Sequence, residues 1–201
     1  MLISFEGIDG CGKTTQIELL RERLNREKLP AEVLREPGGT DLSETIRGIL
    51  LNPDIMMNPV TELLLFSAAR SELVTQKVRP LLEQNVIVIL DRFYDSTVAY
   101  QGFGRGSLPI DAINQMNHVA AHGLVPDLTF YLDIGLSEAS ERRKDMEEDR
   151  IERAGQSFYE RVREGFNYLA DNNERFVRIN AAQAPEQIHE AVWRRVSALL
   201  S

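Results

Sequence analysis

Gly7-Ile8-Asp9-Gly10-Cys11-Gly12-Lys13-Thr14 follows the apolar run Leu2-Ile3-Ser4-Phe5 and leads straight into a helical stretch. The spacing G-x-x-x-x-G-K-[ST], in the order strand, tight loop, helix, is that of a phosphate-binding loop. Its glycines let backbone N–H groups turn inward around an anion, and the next helix N-terminus adds partial positive charge. Lys13 is placed to reach the β- and γ-phosphates, and the Thr14 hydroxyl to ligate Mg2+. The stretch from Gly7 to Thr15 is therefore read as binding a nucleoside triphosphate rather than as a ligand-free glycine-rich turn.

Working outward, apolar runs recur at Leu2–Phe5, Ala31–Leu34, Val86–Leu90, Leu128–Leu132 and Phe176–Ile179. Val86-Ile87-Val88-Ile89-Leu90 lacks polar alternation, as a strand buried on both faces of a parallel sheet should. Between the runs lie helical stripes, Ile17, Leu20 and Leu24 in one and Ile188, Val192, Val196 and Leu199 in another. Strands alternating with helices predict right-handed β-α-β units and a doubly wound α/β fold, a three-layer arrangement with a central five-stranded parallel sheet flanked by helices. Ligands bind such sheets at the carboxyl ends of the strands, which puts Asp9, Arg35, Asp91 and Asp133 on one rim. No repeat or linker interrupts residues 1–201, so one domain is expected.

Composition bounds the partners. A chain of 201 residues with 43% hydrophobic residues can bury a full core. Its net charge of -8 argues against a broad polyanion surface and hence against nucleic acid. The single cysteine, Cys11, cannot form an internal disulfide, which fits a reducing cytoplasm. The chain opens on a strand with no room for a signal peptide, and its apolar runs are too short for a bilayer, so a soluble cytoplasmic protein is expected.

Two further clusters sit at strand ends. Asp91-Arg92 follows the buried third strand, the place of a Walker-B acid that holds Mg2+, though an ordinary ion pair is the alternative. Arg35-Glu36-Pro37-Gly38-Gly39-Thr40 follows the second, with Pro37 forcing Glu36 out of the helical region and a cis Glu36-Pro37 bond a reasonable guess. Two basic rim residues outside the loop, Arg35 and Arg92, suggest a second phosphate beside the triphosphate. A phosphomonoester, with a second pKa near about 6, is a dianion at neutral pH and needs positioning rather than a general base. Neither an H-R-D triplet nor an N-K-x-D guanine motif occurs, the latter weighing against a GTPase switch.

These motifs, in order, resemble bacterial thymidylate kinase: Phe5 to Thr15, Arg35 to Thr40, Phe66-Ser67-Ala68-Ala69-Arg70, Asp91-Arg92-Phe93 and Ala99-Tyr100-Gln101-Gly102, continuing through Pro126-Asp127-Leu128-Thr129 and Leu132-Asp133. The resemblance implies a P-loop kinase fold with a helical lid near 141–155, a homodimer packed through helices, and Mg2+-assisted transfer from ATP to dTMP. It implies that Asp9 binds the sugar 3'-hydroxyl, that Arg35 and Arg92 hold the 5'-phosphate with Arg47 assisting, and that Glu36 and Pro37 line the same site. Phe66 would stack on thymine, Arg70 would donate to its exocyclic oxygen, Ser96, Thr97 and Gln101 would contact base and phosphate, and Tyr100 would crowd the 2' carbon. Asn180-Ala181-Ala182-Gln183 resembles the adenine-binding loop.

Other readings stay open from the residues alone. Phe66 belongs to Leu63-Leu64-Leu65-Phe66 and could be core, Arg70 could snorkel from the core edge, and Tyr100 could pack with its hydroxyl at the surface. His118 and His122, four apart, read as a helix C-terminus rather than a metal site. Cys11 reads as a small residue fitting the loop rather than a reactive thiol. The P-loop lacks a basic residue among Ile8-Asp9-Gly10-Cys11, so the charge that stabilises the transferring phosphoryl must come from the lid, Glu141 to Arg153. Arg142, Arg143, Lys144 and Arg150 are its candidates, against a solvated helix of alternating charge. The competing functions are another nucleotide or deoxynucleoside kinase, in which Glu36 or Asp9 would have to serve as base, and a switch ATPase that turns over without an acceptor.

Overall fold

All five apolar runs form strands, and all five strands run parallel: β1 (Leu2–Glu6), β2 (Ala31–Arg35), β3 (Ile87–Asp91), β4 (Leu128–Asp133) and β5 (Phe176–Asn180), in the order β2-β3-β1-β4-β5. This is a computed structural model that describes residues 1–144 and 149–200. Of the expected lid, Asp145, Met146, Glu147 and Glu148 lie outside the described residues. Central β1 is buried along its whole length, whereas β2 at the sheet edge is only half-buried.

The α-helices are α1 (Lys13–Arg26), α2 (Asp41–Leu51), α3 (Pro59–Leu73), α4 (Arg79–Glu83), α5 (Tyr94–Thr97), α6 (Ile110–Ala120), α7 (Leu136–Arg143), α8 (Gln156–Asn172) and α9 (Pro185–Leu200). Residues of opposite parity along a strand face opposite sides, and the core divides accordingly. Ile3, Phe5, Ile87 and Ile89 pack with Ile17, Leu20 and Leu24 of α1 and Val192 and Val196 of α9. Leu2, Val88 and Leu90 meet Leu73, Val74 and Val78, and Tyr131 stacks on Phe166 of α8 at 5.3 Å between ring centroids. Helices therefore cover both faces, giving three layers. Leu199, expected in the α9 stripe, is instead exposed, in the last turn of the helix.

Local signals set the helix starts. Asn58 accepts a hydrogen bond from the Thr61 N–H at 2.9 Å, with Pro59 at the first helical position of α3. Thr40 caps α2 by accepting from Ser43 N at 3.2 Å. Glu36-Pro37 is cis, as expected. Two π-helical turns, Val74–Val78 and Val98–Gly104, extend α3 and α5. Such turns occur often at functional sites, and the second carries Tyr100 and Gln101.

The chain leaves β1 toward β2 and leaves β3 toward β4, crossing the sheet in opposite senses. Neighbouring β1 and β3 thus flank the point where the connections diverge, the place where such sheets bind ligands. The Gly7–Thr14 loop follows one and Asp91-Arg92 the other.

Gly165, inside α8, faces the Val98–Gly104 turn so closely that an added methyl would lie 2.9 Å from the Ala99 Cα and 3.0 Å from the Phe103 ring. Exchanging glycine for alanine inside a helix ordinarily stabilises by about 1 kcal/mol, but overpacking against backbone costs about 1–3 kcal/mol. Gly165→Ala is expected to lower Tm by a few degrees in a calorimetric scan (roughly 2–4 °C per kcal/mol at this size); a raised Tm would mean that α8 and the turn can move apart freely.

Candidate active site

The phosphate loop owes its shape to glycine. Gly12, immediately before α1, has φ 97°, and Gly7 has φ 138° with the position of a missing Cβ only 2.8 Å from both Cys11 Sγ and Leu132 O. An L side chain at either would be strained or would clash. Cys11 is the small buried residue on the underside of the loop. The first turn of α1 carries no acidic residue to quench its positive end. Lys13 folds back over the loop and donates to Gly7 O and Ile8 O, both at 3.2 Å.

Facing this loop is a cleft of about 540 Å³, the size of a small-molecule site. Asp9, Gly10, Gly12, Lys13, Thr14 and Thr15 line it, together with Arg35, Glu36, Pro37, Arg47, Phe66, Arg70, Asp91, Arg92, Ser96, Thr97, Tyr100 and Gln101, and with Arg142 and Arg143 of α7. Gly7, Ile8 and Cys11 lie beneath the loop, while Lys144, Arg150 and Asn180 to Ala182 lie off the cleft. Lys144 pairs with Glu141 at the surface. Ala181 is tied to the site's edge by accepting from Arg142 Nη2 at 3.0 Å.

Arg92 is the hub. It adopts φ 68°, a left-handed conformation costing an L-residue on the order of 1–2 kcal/mol. Its guanidinium donates to Gly7 O at 2.8 Å, Ser96 Oγ at 3.1 Å, Asp9 Oδ1 at 2.5 Å and Tyr100 Oη at 3.3 Å. Its ion-pair partner is Asp9, not the adjacent Asp91. Burial would raise the Asp9 carboxyl, but the Arg92 and Lys13 charges overcome it and hold Asp9 far below the usual carboxylate range. The Tyr100 hydroxyl donates to Asp9 Oδ2 at 3.2 Å, so it points into the cleft rather than to the surface.

Arg35 is exposed and joined to Glu44 at 2.9 Å, and Arg47 donates to Pro37 O at 2.9 Å. A surface pair of this kind is worth little, so an arriving anion can recruit Arg35. Burial first and the Arg35 charge second lower the Arg47 pKa, against the opposing charges of Glu44, Asp149 and Asp91. Arg70 does not snorkel: it is buried, ion-paired with Glu36, and donates to Asn117 Oδ1 at 2.8 Å and Thr97 Oγ1 at 2.7 Å. Its Nε has no partner among the described residues. Phe66 packs against the core with one side and lines the cleft with the other.

His122 ends the helix region at φ 50° and hydrogen-bonds Ser71 Oγ through Nε2 at 2.8 Å. No group of three or more metal-ligating His, Cys, Asp or Glu side chains occurs among the described residues. A Mg2+ ion held by one carboxylate, a hydroxyl and ligand phosphates does not need such a group. Asp91 and Thr14, hard oxygen donors that both line the cleft, fit it. No helix among the described residues is long and apolar enough to cross a membrane.

A family model described as thymidylate kinase matches residues 5–192. Proteins named thymidylate kinase are similar along nearly the whole chain. The one from Prosthecochloris aestuarii is 47% identical, covering 98% of this chain and 92% of its own length. That of Caldanaerobacter subterraneus subsp. tengcongensis is 45% identical, covering 98% and 95%, and that of Chlorobaculum tepidum 46%, covering 99% and 98%.

Several residues to which the sequence reading gave no site role belong to the cleft: Leu51, Phe93, Asp149, Ile151 and Glu152 line it, and Glu6 lies behind it. Glu6 could have been noticed as the one acid in an apolar strand. It is fully buried and accepts from Phe93 N at 2.8 Å and Ser96 Oγ at 2.6 Å, fixing the turn that presents Arg92. Burial, followed by the Asp95 charge, raises its carboxyl from 4.5 to about 8. The folded chain therefore holds a proton there that the unfolded chain releases from about pH 4.5 upward. This contribution to stability is fully present below pH 4.5 and lost as pH rises through about 8. Relative to Glu6→Gln, the wild type is expected to lose unfolding free energy between pH 5 and pH 8 in urea titrations; parallel pH profiles would show that Glu6 is ionised in the native state.

Proposed function

The chain belongs to the thymidylate kinase family, and from that membership and the chemistry of its cleft we propose that it transfers the γ-phosphoryl group of ATP to dTMP, yielding dTDP and ADP. The observation that carries the reading is a second set of cations, Arg35, Arg47 and Arg92, lining the same cleft as the phosphate loop. Both candidate bases, Asp9 and Glu36, are bound to arginines. An acceptor hydroxyl would need one of them free; a phosphate dianion would not. This favours a monophosphate acceptor over a nucleoside.

In this reading Lys13 and the loop N–H groups neutralise the β- and γ-phosphates, and Arg35, Arg47 and Arg92 align the acceptor phosphate in line with them. Thr14 and Asp91 would hold Mg2+, which when bound neutralises charge on the phosphate oxygens. Arg142 and Arg143 are the lid cations on the cleft, and Arg143, above Asp9, meets the transferring group. Thymine stacks on Phe66 with its exocyclic oxygen toward Arg70, whose Nε is unpartnered. Ser96, Thr97 and Gln101 complete the acceptor side beside Glu36 and Pro37, Asp9 takes the 3'-hydroxyl, and Tyr100 crowds the 2' position. Adenine lies toward Asn180, Ala181 and Ala182. The acidic chain, net -8, suits small-molecule substrates in the cytoplasm better than nucleic acid.

The protein acts as a homodimer in the same reading. Leu42 and Ile49 on α2 and Val60 and Leu64 on α3 expose apolar side chains on two helices that pack together, with Met56 almost wholly exposed between them. A second copy would cover this face. Light scattering is expected to give twice the chain mass, and Leu64→Glu to give a monomer; a wild-type monomer at micromolar concentration would exclude the dimer.

ADP release from ATP is expected to require a nucleoside monophosphate, with dTMP favoured over dCMP by roughly 100-fold or more in kcat/KM, because cytosine leaves the buried Arg70 donor unmatched. Equal turnover without acceptor would leave a switch ATPase in place of a kinase. Equal rates with dCMP would remove the base-recognition assignment and spare the transfer.

A further inference from the structure

Arg150 is the lid cation that turns its back on the phosphates. Its Nε donates to Leu50 O at 2.7 Å, its Nη1 meets Glu62 Oε2 at 2.7 Å, and its own N–H reaches Leu51 O at 3.2 Å. Glu62 is buried, its side chain 2% exposed, and its other oxygen accepts from Gln101 Nε2 at 2.9 Å and from Arg105 Nε at 3.3 Å. One carboxylate thus binds three elements: the acceptor-side turn, the end of that turn, and the segment after the lid helix.

That segment is tied together by its own hydrogen bonds. Asp149 Oδ1 accepts from Ile151 N at 2.8 Å and Glu152 N at 3.0 Å, and Glu152 Oε2 accepts from Asp149 N at 3.0 Å. This is the reciprocal bonding of a capping box. The remaining Glu152 oxygen accepts from Arg143 Nη1 at 2.7 Å. Arg143 is stationed over the phosphate loop: a methyl on Gly10 would lie 3.0 Å from its Cγ and 2.6 Å from Ala139 O. Its guanidinium lies 5.6 Å from the centroid of the Tyr159 ring, which steadies it from the other side.

We propose that Arg150, clamped on Glu62, is a positioning residue that fixes the Asp149–Glu152 turn on α2 and α3 and, through Glu152, aims Arg143 at the phosphate loop. Glu62 bonds Gln101 as well, so the clamp also ties the lid arginine to the acceptor wall. The catalytic consequence rests on the kinase reading; the clamp itself does not. A misplacement of about 1 Å in a group that contacts the transition state can cost roughly 100-fold in rate, and it acts on kcat rather than on ground-state binding.

The test compares wild type, Arg150→Met, Arg143→Ala and the double variant in steady-state assays with ATP and dTMP, beside hydrogen exchange of residues 149–154 in the unliganded chains. Arg150→Met is expected to lower kcat at least tenfold while both KM values stay within about threefold, and the double variant to be no slower than Arg143→Ala. Exchange at the Ile151 and Glu152 amides should quicken at least tenfold. Arg150→Gln, which can still donate to Leu50 O but brings no charge to Glu62, supplies the same comparison if the Met variant does not fold. A kcat within about threefold of wild type, multiplicative losses in the double variant, or unchanged exchange would each overturn the proposal. A wild type inactive on dTMP would sink the kinase reading instead, and the exchange arm would still decide the clamp.

Discussion

The ion pair between Arg92 and Asp9 is the constraint on which the rest of the site depends. β1 and β3 are neighbours in the sheet, but the loops that leave them run to opposite sides. Nothing in sheet hydrogen bonding fixes how those loops face each other. Arg92 does so, by bonding both the backbone and the acid of the phosphate loop from the end of the other strand. Its left-handed backbone is strain offset by those bonds and by the Arg92 N–H, which extends the β1 ladder to Phe5 O at 3.0 Å. The strain and the function have one origin: a residue in the ordinary β region would carry the guanidinium away from the loop.

Behind that pair this part of the cleft is built from buried charge. Arg70 with Glu36, Arg150 and Arg105 with Glu62, and Arg175 with Asp95 each bury a carboxylate almost completely. Such pairs are weak sources of stability, because desolvation consumes most of the Coulomb energy. They are strong sources of geometry, because breaking one leaves an uncompensated charge. The helical turns they join, Tyr94–Thr97 and Val98–Gly104, carry the small polar residues of the cleft. A hydrophobic wall of equal volume would fold as well or better, but could not present oriented donors to a ligand.

The same division separates what was legible in the chain from what was not. The phosphate loop, the five strands and the rim acids could be read because each is a local matter. Glycine spacing fixes positive φ in the loop, a β-branched apolar run such as Val86–Leu90 suits a strand buried on both faces, and Asp91 at its end stands at the carboxyl edge of the sheet. The cleft residues that carried a motif, from Arg35 and Phe66 to Tyr100, came with it. Glu62 lies in none, and although Glu6, Asp149 and Glu152 fall within matched stretches, nothing in those stretches gives the acids a partner, so each reads as an ordinary acid in a strand, a helix start or a charged stretch.

Sequence by itself therefore determined the fold, the glycine-rich loop after β1 and the family's motifs, since these rest on backbone preferences and hydrophobic periods a few residues long. Only the tertiary structure decided how the charges pair. Arg92 meets Asp9 across 83 residues of chain, and Arg150 meets the Leu50 carbonyl across 100. An arginine's reach is a few ångströms and its partner's identity is set by which strand ends and helix starts the folded sheet brings within it. That is why Arg142, Arg143, Lys144 and Arg150, four of the basic residues in one charged stretch, divide into two that face the cleft, one at the surface and one clamped on Glu62.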